Sequence, residues 1–531
     1  MISTENISVQ FGAKALFQDI NITFSKGNKY GLIGANGSGK STFMKIISGE
    51  IEPSSGNIHI DKKYRIATLK QDHYAYDDIP IIDCVIMGHN KLWDIKTERE
   101  RIYGLTNMSN EESLRVGDLE IEFSDLNGYT CEIEAGKLLT GLGIPIEQHD
   151  EKMSILAPTM KLRVLLAKTL FGNPDIILLD EPTNNLDLET INWLEDVILR
   201  SRSTIVIISH DRQFLNNTCS HIADLDYGEI KIYTGNYDDF ITAATHAREY
   251  LINENKKKQA KIDELKLFVS RFSANASKGK QATSRANQIK KIKLEDIINS
   301  SRVYPYITFE QEKKIHSNVL EVKNLSKSYG LNNILNKISF TVNRGDRIAI
   351  LGINGIGKTT LLNCIVGKDI QDTKQIKWSL NAQISYFEQN IDYNFNTKMT
   401  LLKWMCQWIN KNEDEQKARS ILGRLLFTKD DIFKTTDVLS GGEKRRMMFG
   451  KIMLQKPNVI IMDEPTNHLD MESIESLNSA LNSYEGTIIF ASHDRKFIST
   501  LATRALEIKS KNIIDHSDIF IENLHKIKID R

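Results

Sequence analysis

The stretches GANGSGKS, Gly34 to Ser41, and GINGIGKT, Gly352 to Thr359, carry residue types that can grip a triphosphate. Glycines let backbone N–H groups close around phosphate oxygens, a lysine reaches the outer phosphates, and a hydroxyl ligates magnesium. The candidate binding residues are Gly34, Ala35, Asn36, Gly37, Ser38, Gly39, Lys40, Ser41 and Thr42 in one copy, and Gly352, Ile353, Asn354, Gly355, Ile356, Gly357, Lys358, Thr359 and Thr360 in the other. Two apolar runs end in Asp180 and Asp463, each a second magnesium-side oxygen donor beside Ser41 or Thr359. Glu181 and Glu464 come next, placed to orient and deprotonate an attacking water. The β-rich runs STIVIISHD and GTIIFASHD then deliver His210 and His493 toward a terminal phosphate. One hydrophobic run ending in Asp-Glu is usually a plain strand end, and one histidine is usually structural, but both recur here at a single offset.

These residues need elements to position them, and the elements repeat with them. Lys40 and Lys358 stand 318 apart, as do Gln71 and Gln389, whereas Asp180 and Asp463, like His210 and His493, stand 283 apart. The first copy therefore carries 35 extra residues between its glutamine and its acidic box. The polar stretch at about 88–130, containing KTERERIYGL and MSNEESLRVGDLEIEF, reads as a short helical arm with a turn. A chain of 531 residues exceeds one core, and the repeat divides it into 1–242, a joining segment 243–303, and 304–531.

The joining segment has no proline and only Gly279, and Ile262, Leu265, Val269 and Phe272 form a heptad-like seam. Ser273 to Ser284 interrupts that seam and Ile289, Ile292 and Ile297 resume it, which fits a helical hairpin with Lys278 and Lys280 at its tip. The whole chain balances 69 basic against 69 acidic residues, yet 256–293 holds twelve Lys or Arg against Asp263 and Glu264, a net +10. The global neutrality thus hides a basic patch suited to phosphates. No apolar run reaches the roughly 18 residues of a membrane span, and Met1 leads almost directly into the strand-like ENISVQF, so a cytoplasmic chain is expected. Five scattered cysteines without a CxxC pair read as small buried hydrophobes.

Two phosphate loops, Gln71 and Gln389, LSGGE at Leu439 to Glu443, DEPTNNLD and DEPTNHLD, and the two histidines together resemble the ATP-binding cassette ATPases. Tandem cassettes, the arm, and FVSRFSANASKGKQATSRANQIKKIKLE in the linker resemble the ABC-F group and most closely its YbiT-like branch. The resemblance implies an α/β fold: two tandem P-loop NTPase domains joined by a basic α-helical hairpin. It implies ATP and Mg²⁺ as ligands, Gln71 and Gln389 near the metal, and Phe11 and Tyr329 stacking on adenine. It also implies a single chain whose cassettes pair head to tail, acting on the ribosome near the tRNA exit site. Ribosomal RNA and peptidyl-tRNA would be met through 256–293 and the arm, with no membrane partner.

In that pairing Ser440, Gly441 and Gly442 would face the nucleotide at Lys40. LAPTM, at Leu156 to Met160, stands in the corresponding place and would face the nucleotide at Lys358. There the serine is replaced by Ala157, Pro158 lacks an N–H, and Thr159 crowds the approach. Proline is tolerated as the first residue of a helix, so the helix is expected to form while its phosphate sensing is weakened. Two other readings stay open: a DNA-maintenance ATPase gripping duplex with the basic hairpin, and the ATPase subunit of a membrane transporter, which needs neither hairpin nor arm.

Overall fold

In this computed structural model the described residues are 1–11, 14–69, 75–106, 108–184, 186–272, 284–285, 287–289, 292, 302–315, 318–330, 332–368, 375–409 and 414–516, with only the backbone given at Phe11, Lys14, Arg248, Phe268 and Phe272. Gln71, nearly all of the expected hairpin tip, from Ser273 to Thr283, and Lys290 and Lys291 lie outside these residues, as does the Phe11 side chain.

The repeat read in the sequence is a repeat of sheets. In the first cassette the strand order is Glu229–Thr234, His221–Asp226, Lys29–Gly34, Thr204–Ile208, Ile176–Asp180, Ile66–Thr68. The second follows the same order, read from the opposite edge: Ile384–Phe387, Val459–Asp463, Thr487–Ala491, Arg347–Leu351, Arg504–Lys509, Asn512–His516. The central strands pair in parallel and the last two form an antiparallel edge. Runs such as IILLD and VIIMD are apolar without alternation because both faces of a parallel sheet are covered. Their carboxyl ends hold Asp180 and Asp463, where ligands of open α/β sheets bind. A smaller antiparallel sheet, including Ile2–Phe11 and Lys14–Ile20 in one copy and Leu320–Tyr329 and Asn332–Val342 in the other, covers each phosphate loop.

The insertion forms two antiparallel helices, Asn90–Tyr103 and Asn110–Asp125, the second opened by a capping box from Ser109 to Glu112. Arg115 reaches back to Glu98 at 2.8 Å. The linker departs from expectation at its start: a single helix, Tyr237–Phe272, begins inside the first cassette and runs through residue 243 without a break. Tyr237 and Phe240 belong to the first cassette's core, so the same helix closes that core and carries its charge outward. At 36 residues it spans about 54 Å. Ile262 and Leu265 of the expected seam are buried. On the far side, Ile307 and Phe309 pack into the second cassette's core. Cys84, Cys131, Cys219 and Cys364 are buried and Cys406 is partly so.

Candidate active sites

Each phosphate loop turns at a glycine in the left-handed region, where any other residue would be strained and would crowd its neighbours. Gly39 has φ +102, and a Cβ there would meet Leu16 at 2.6 Å; Gly357 has φ +115 and would meet Ile334 at 2.6 Å. From these turns the helices Lys40–Ile47 and Lys358–Val366 start, pointing backbone N–H groups into the loop. Lys40 Nζ donates to Gly34 O and Ala35 O at 2.8 and 3.0 Å, and Lys358 Nζ donates to Gly352 O at 2.7 Å. Burial lowers the pKa of both lysines.

The acidic boxes converge on those loops. Ser41 lies close enough to Asp180, and Thr359 to Asp463, for each hydroxyl to partly offset the rise that burial causes in the carboxyl's pKa. Asp463 Oδ2 is buried without another partner. A hydroxyl and a carboxylate oxygen suit a hard cation that brings the rest of its shell as water and phosphate, so the donor set fits magnesium. When bound, the ion would offset phosphate charge and ease ionisation of the neighbouring carboxyls. Gln389 lines the cavity of about 280 Å³ that also holds Lys358, Thr359, Asp463, Glu464 and His493. Tyr329 is half exposed at the end of the central strand of its small sheet, with Lys327 Nζ 5.0 Å from its ring.

Glu181 and Glu464 sit at φ +50 and +48, a region costly for a residue with a Cβ, and each places its N–H on the neighbouring strand, at Ile208 O and Ala491 O. The same strain in both copies marks a position held for its side chain. His210 Nε2 lies 3.4 Å from Glu181 Oε1, and His493 Nε2 3.2 Å from Glu464 Oε1. Burial, with Asp180 adding repulsion, pushes the Glu181 carboxyl up to about 8, and burial pushes Glu464 up to about 7. Burial and the nearby lysine depress His210 to about 4 and His493 to about 3. The imidazoles are therefore neutral at pH 7, and these contacts are not full ion pairs. A carboxyl with a pKa near operating pH is matched to taking a proton from water.

Cross-cassette contacts make the pairing head to tail. Thr159 of the first cassette lines the Lys358 cavity. Asn36 donates to Asp470 of the second cassette at 3.1 Å. Arg212 reaches Glu475 at 3.1 Å, and Arg495, at its repeat position, reaches both Asn192, the repeat position of Glu475, and Glu195, the latter at 3.3 Å. The helix Pro158–Leu170 forms with proline in its first turn and no side-chain cap, whereas Ser440 opens Gly441–Gln455 with a capping box to Glu443. The cavity of about 450 Å³ around Lys40 is the wider of the two and is lined by first-cassette residues, while the Ser440 hydroxyl donates at 2.7 Å to Glu443 of its own helix. The contact that does cross to this loop is Asp470, four residues beyond the acidic box's threonine, which sequence reasoning did not single out.

A doubled parallel-sheet core, twin phosphate loops and carboxylates placed between facing cassettes define a tandem ATP-binding cassette ATPase. Comparison bears this out: a family described as ABC transporter matches residues 17–184 and 335–467, and a second family of that description matches 223–309. The chain is 56% identical over 517 residues to the probable ATP-binding protein YbiT of Escherichia coli O157:H7, covering 97% of this chain and 98% of that protein. It is 34% identical to ABC transporter F family member 2 of Arabidopsis thaliana, over 97% of this chain and 77% of that one. An archaeal ribosome recycling factor, aABCE1, solved with the ribosomal stalk protein aP1, has the same fold with TM-score 0.59 and 17% identity, over 94% of this chain and 87% of that one. The chain belongs to the ABC-F family of ATP-binding cassette proteins.

Proposed function

We propose that this ATPase works as a translation factor that binds the ribosome near the tRNA exit site in its ATP-closed form and leaves on hydrolysis. The observation that carries the reading is the helix Tyr237–Phe272, which rises from the junction between the cassettes and is basic over its outer part, with Lys256, Lys257, Lys258, Lys261, Lys266 and Arg271 against Asp263 and Glu264. Such a helix can lay cations on RNA phosphates at a distance from either ATP site. Lys278, Lys280, Arg285, Lys290 and Lys291 continue that charge in sequence. Among the described residues no helix is long and apolar enough to cross a membrane. A transporter subunit has no use for the basic helix or the arm, which favours the translation reading, and its setting is then the cytoplasm.

In the proposed cycle Lys40 and Lys358 hold the outer phosphates, Ser41 with Asp180 and Thr359 with Asp463 hold magnesium, with Gln71 and Gln389 nearby, and Phe11 and Tyr329 meet adenine. Glu181 and Glu464 take the proton of the attacking water, while His210 and His493, kept neutral, hold the terminal phosphate. Domain limits of 1–242, 243–303 and 304–531 describe the working units of one chain. The test is sedimentation with ribosomes. Glu181→Gln/Glu464→Gln should accumulate on ribosomes with ATP, and equal sedimentation of variant and parent would count against the reading.

A further inference from the structure

Arg302 stands at the end of the linker, and its guanidinium is buried where the two cassettes meet. Nη2 donates to Asp224, on a strand of the first cassette's main sheet, and Nε lies 3.2 Å from Glu472 Oε1, in the first turn of the second cassette's helix Met471–Ser483. The three side chains are 16%, 12% and 8% exposed, so solvent does not screen these pairs as it would on a surface. The other root of the linker meets the same helix: Arg212 bonds Asp238 at 2.7 Å and Glu475 at 3.1 Å.

From that helix the contacts run on to one phosphate loop. Asp470 caps the helix through Oδ1, at 2.8 Å from Ser473 N, and its Oδ2 accepts from Asn36 at 3.1 Å. Gly34, Lys40, Tyr237, Arg302 and Glu472 line one small cavity at this junction. The Lys358 site is tied differently. Glu507, at the repeat position of Asp224, is held by His516 at 2.8 Å, and Asp187, at that of Asp470, is held by Arg163 at 2.9 Å.

We propose that Arg302 couples the linker to the Lys40 site alone, so that a partner engaging the linker sets the closure of that site and leaves the Lys358 site free to act independently. The partner's identity rests on the translation reading; the coupling is a property of the isolated chain. A buried arginine with one carboxylate on each cassette keeps both pairs only while the cassettes stay together, which supplies two states for a ligand to bias. Linkage then requires that nucleotide at Lys40 stabilise the linker root by the same factor that linker engagement tightens nucleotide.

Hydrogen exchange along Tyr237–Phe272 in the full chain, with the Glu181→Gln/Glu464→Gln changes preventing turnover, reads this directly with magnesium ATP alone. ATP is expected to slow exchange near the root by about fivefold or more in that background and in its Lys358→Ala derivative, and by less than about twofold after Lys40→Ala or Arg302→Gln. Asp224→Asn should repeat the loss and Arg302→Lys should keep part of the response, so the outcome does not hang on one variant folding. An undiminished response in Arg302→Gln and Asp224→Asn, or a response lost with Lys358→Ala, overturns the proposal. Ribosome sedimentation is separate: if the parent fails to bind, the translation reading falls and the exchange result still stands.

Discussion

At the Lys40 site Asn36 Nδ2 donates to Asp470 of the facing cassette, whereas at the Lys358 site Asn354 Oδ1 lies 2.9 Å from His493 Nε2 of its own cassette. The aspartates differ in the same sense. Asp187 is buried against Arg163, which with the Thr190 backbone N–H holds its carboxyl down to about 2, while Asp470 reaches outward. Arg446, at the repeat position of Arg163, lies instead over the Phe427 ring at 5.6 Å. Asn36 is thus tied across the junction and Asn354 within its own half, with Arg495 beside the second site reaching across to Glu195 instead. The degenerate LAPTM stretch faces the second. A site whose switch histidine is already bonded to its own loop and lysine, with Lys358 Nζ 3.1 Å from His493 Nε2, has less need of donors from the opposite cassette to stay assembled. It also gains less from them.

The strongest break of this comparison is removal of each lysine. Lys40→Ala should abolish most steady-state hydrolysis, since loss of one preorganised donor to developing charge costs about 3 kcal/mol, or roughly 10²–10³ in rate. Lys358→Ala should leave most of it, because that site has already lost donors to Ala157, Pro158 and Thr159. Measured kcat for the two single variants decides the matter. If Lys358→Ala is the more damaging, the asymmetry runs the other way.

A smaller effect sharpens the same point. In a Lys40→Ala background, the triple change Ala157→Ser, Pro158→Gly and Thr159→Gly should raise hydrolysis by about tenfold, the size of one charge-assisted donor regained. Thr159 already lines the Lys358 cavity, so the repaired helix start has no large distance to close. A silent background after repair would mean that LAPTM is not what limits this site.

How much of this was open to sequence reading follows from what kind of constraint each residue obeys. Lys40, Asp180, Glu181 and their repeats were legible because phosphate and water chemistry demands those types at fixed spacing. The helix after Pro158 was legible because a first-turn proline loses nothing. Asp470, Arg302 and Arg212 were not. Each acts through a partner distant in sequence, 434 residues away for Asp470 and Asn36 and 78 for Arg302 and Asp224, and only packing of the cassettes selects it. The strain at Glu181 and Glu464 was equally hidden, since no residue type announces a positive φ there. That the helix entering the linker begins at Tyr237 was hidden too, because Tyr237 serves a core and a helix root at once.

Asn36→Ala tests the cross-junction tie with less violence than a lysine change. Loss of one hydrogen bond of ordinary strength, about 1 kcal/mol, should lower turnover at the Lys40 site by about fivefold, measured in a Lys358→Ala background. Asp470→Asn, which keeps the helix cap but removes the charge, should fall between Asn36→Ala and the parent. The matching Asp187→Asn change should instead show as lost stability, because Asp187 is buried with Arg163 and its removal leaves a buried guanidinium poorly paired.

The smallest expected effect concerns the cost of keeping two buried carboxyls for catalysis. Glu181 is raised to about 8 and Glu464 to about 7 from an ordinary 4.5, so between these values the folded chain holds protons that the unfolded chain has released. Stability from each group therefore falls as pH rises, from 4.5 up to about 8 for Glu181 and up to about 7 for Glu464. A glutamine at either position is neutral throughout and avoids that loss. Glu181→Gln and Glu464→Gln should accordingly raise the melting temperature, hardly at all near pH 5 and by a few degrees at about pH 8.5, with Glu181→Gln gaining the more. Melting curves in the absence of nucleotide measure it. A gain that is independent of pH would mean that the carboxyls are ionised in the folded chain across the range, and that their fitness as bases for water is set only once phosphate and metal arrive.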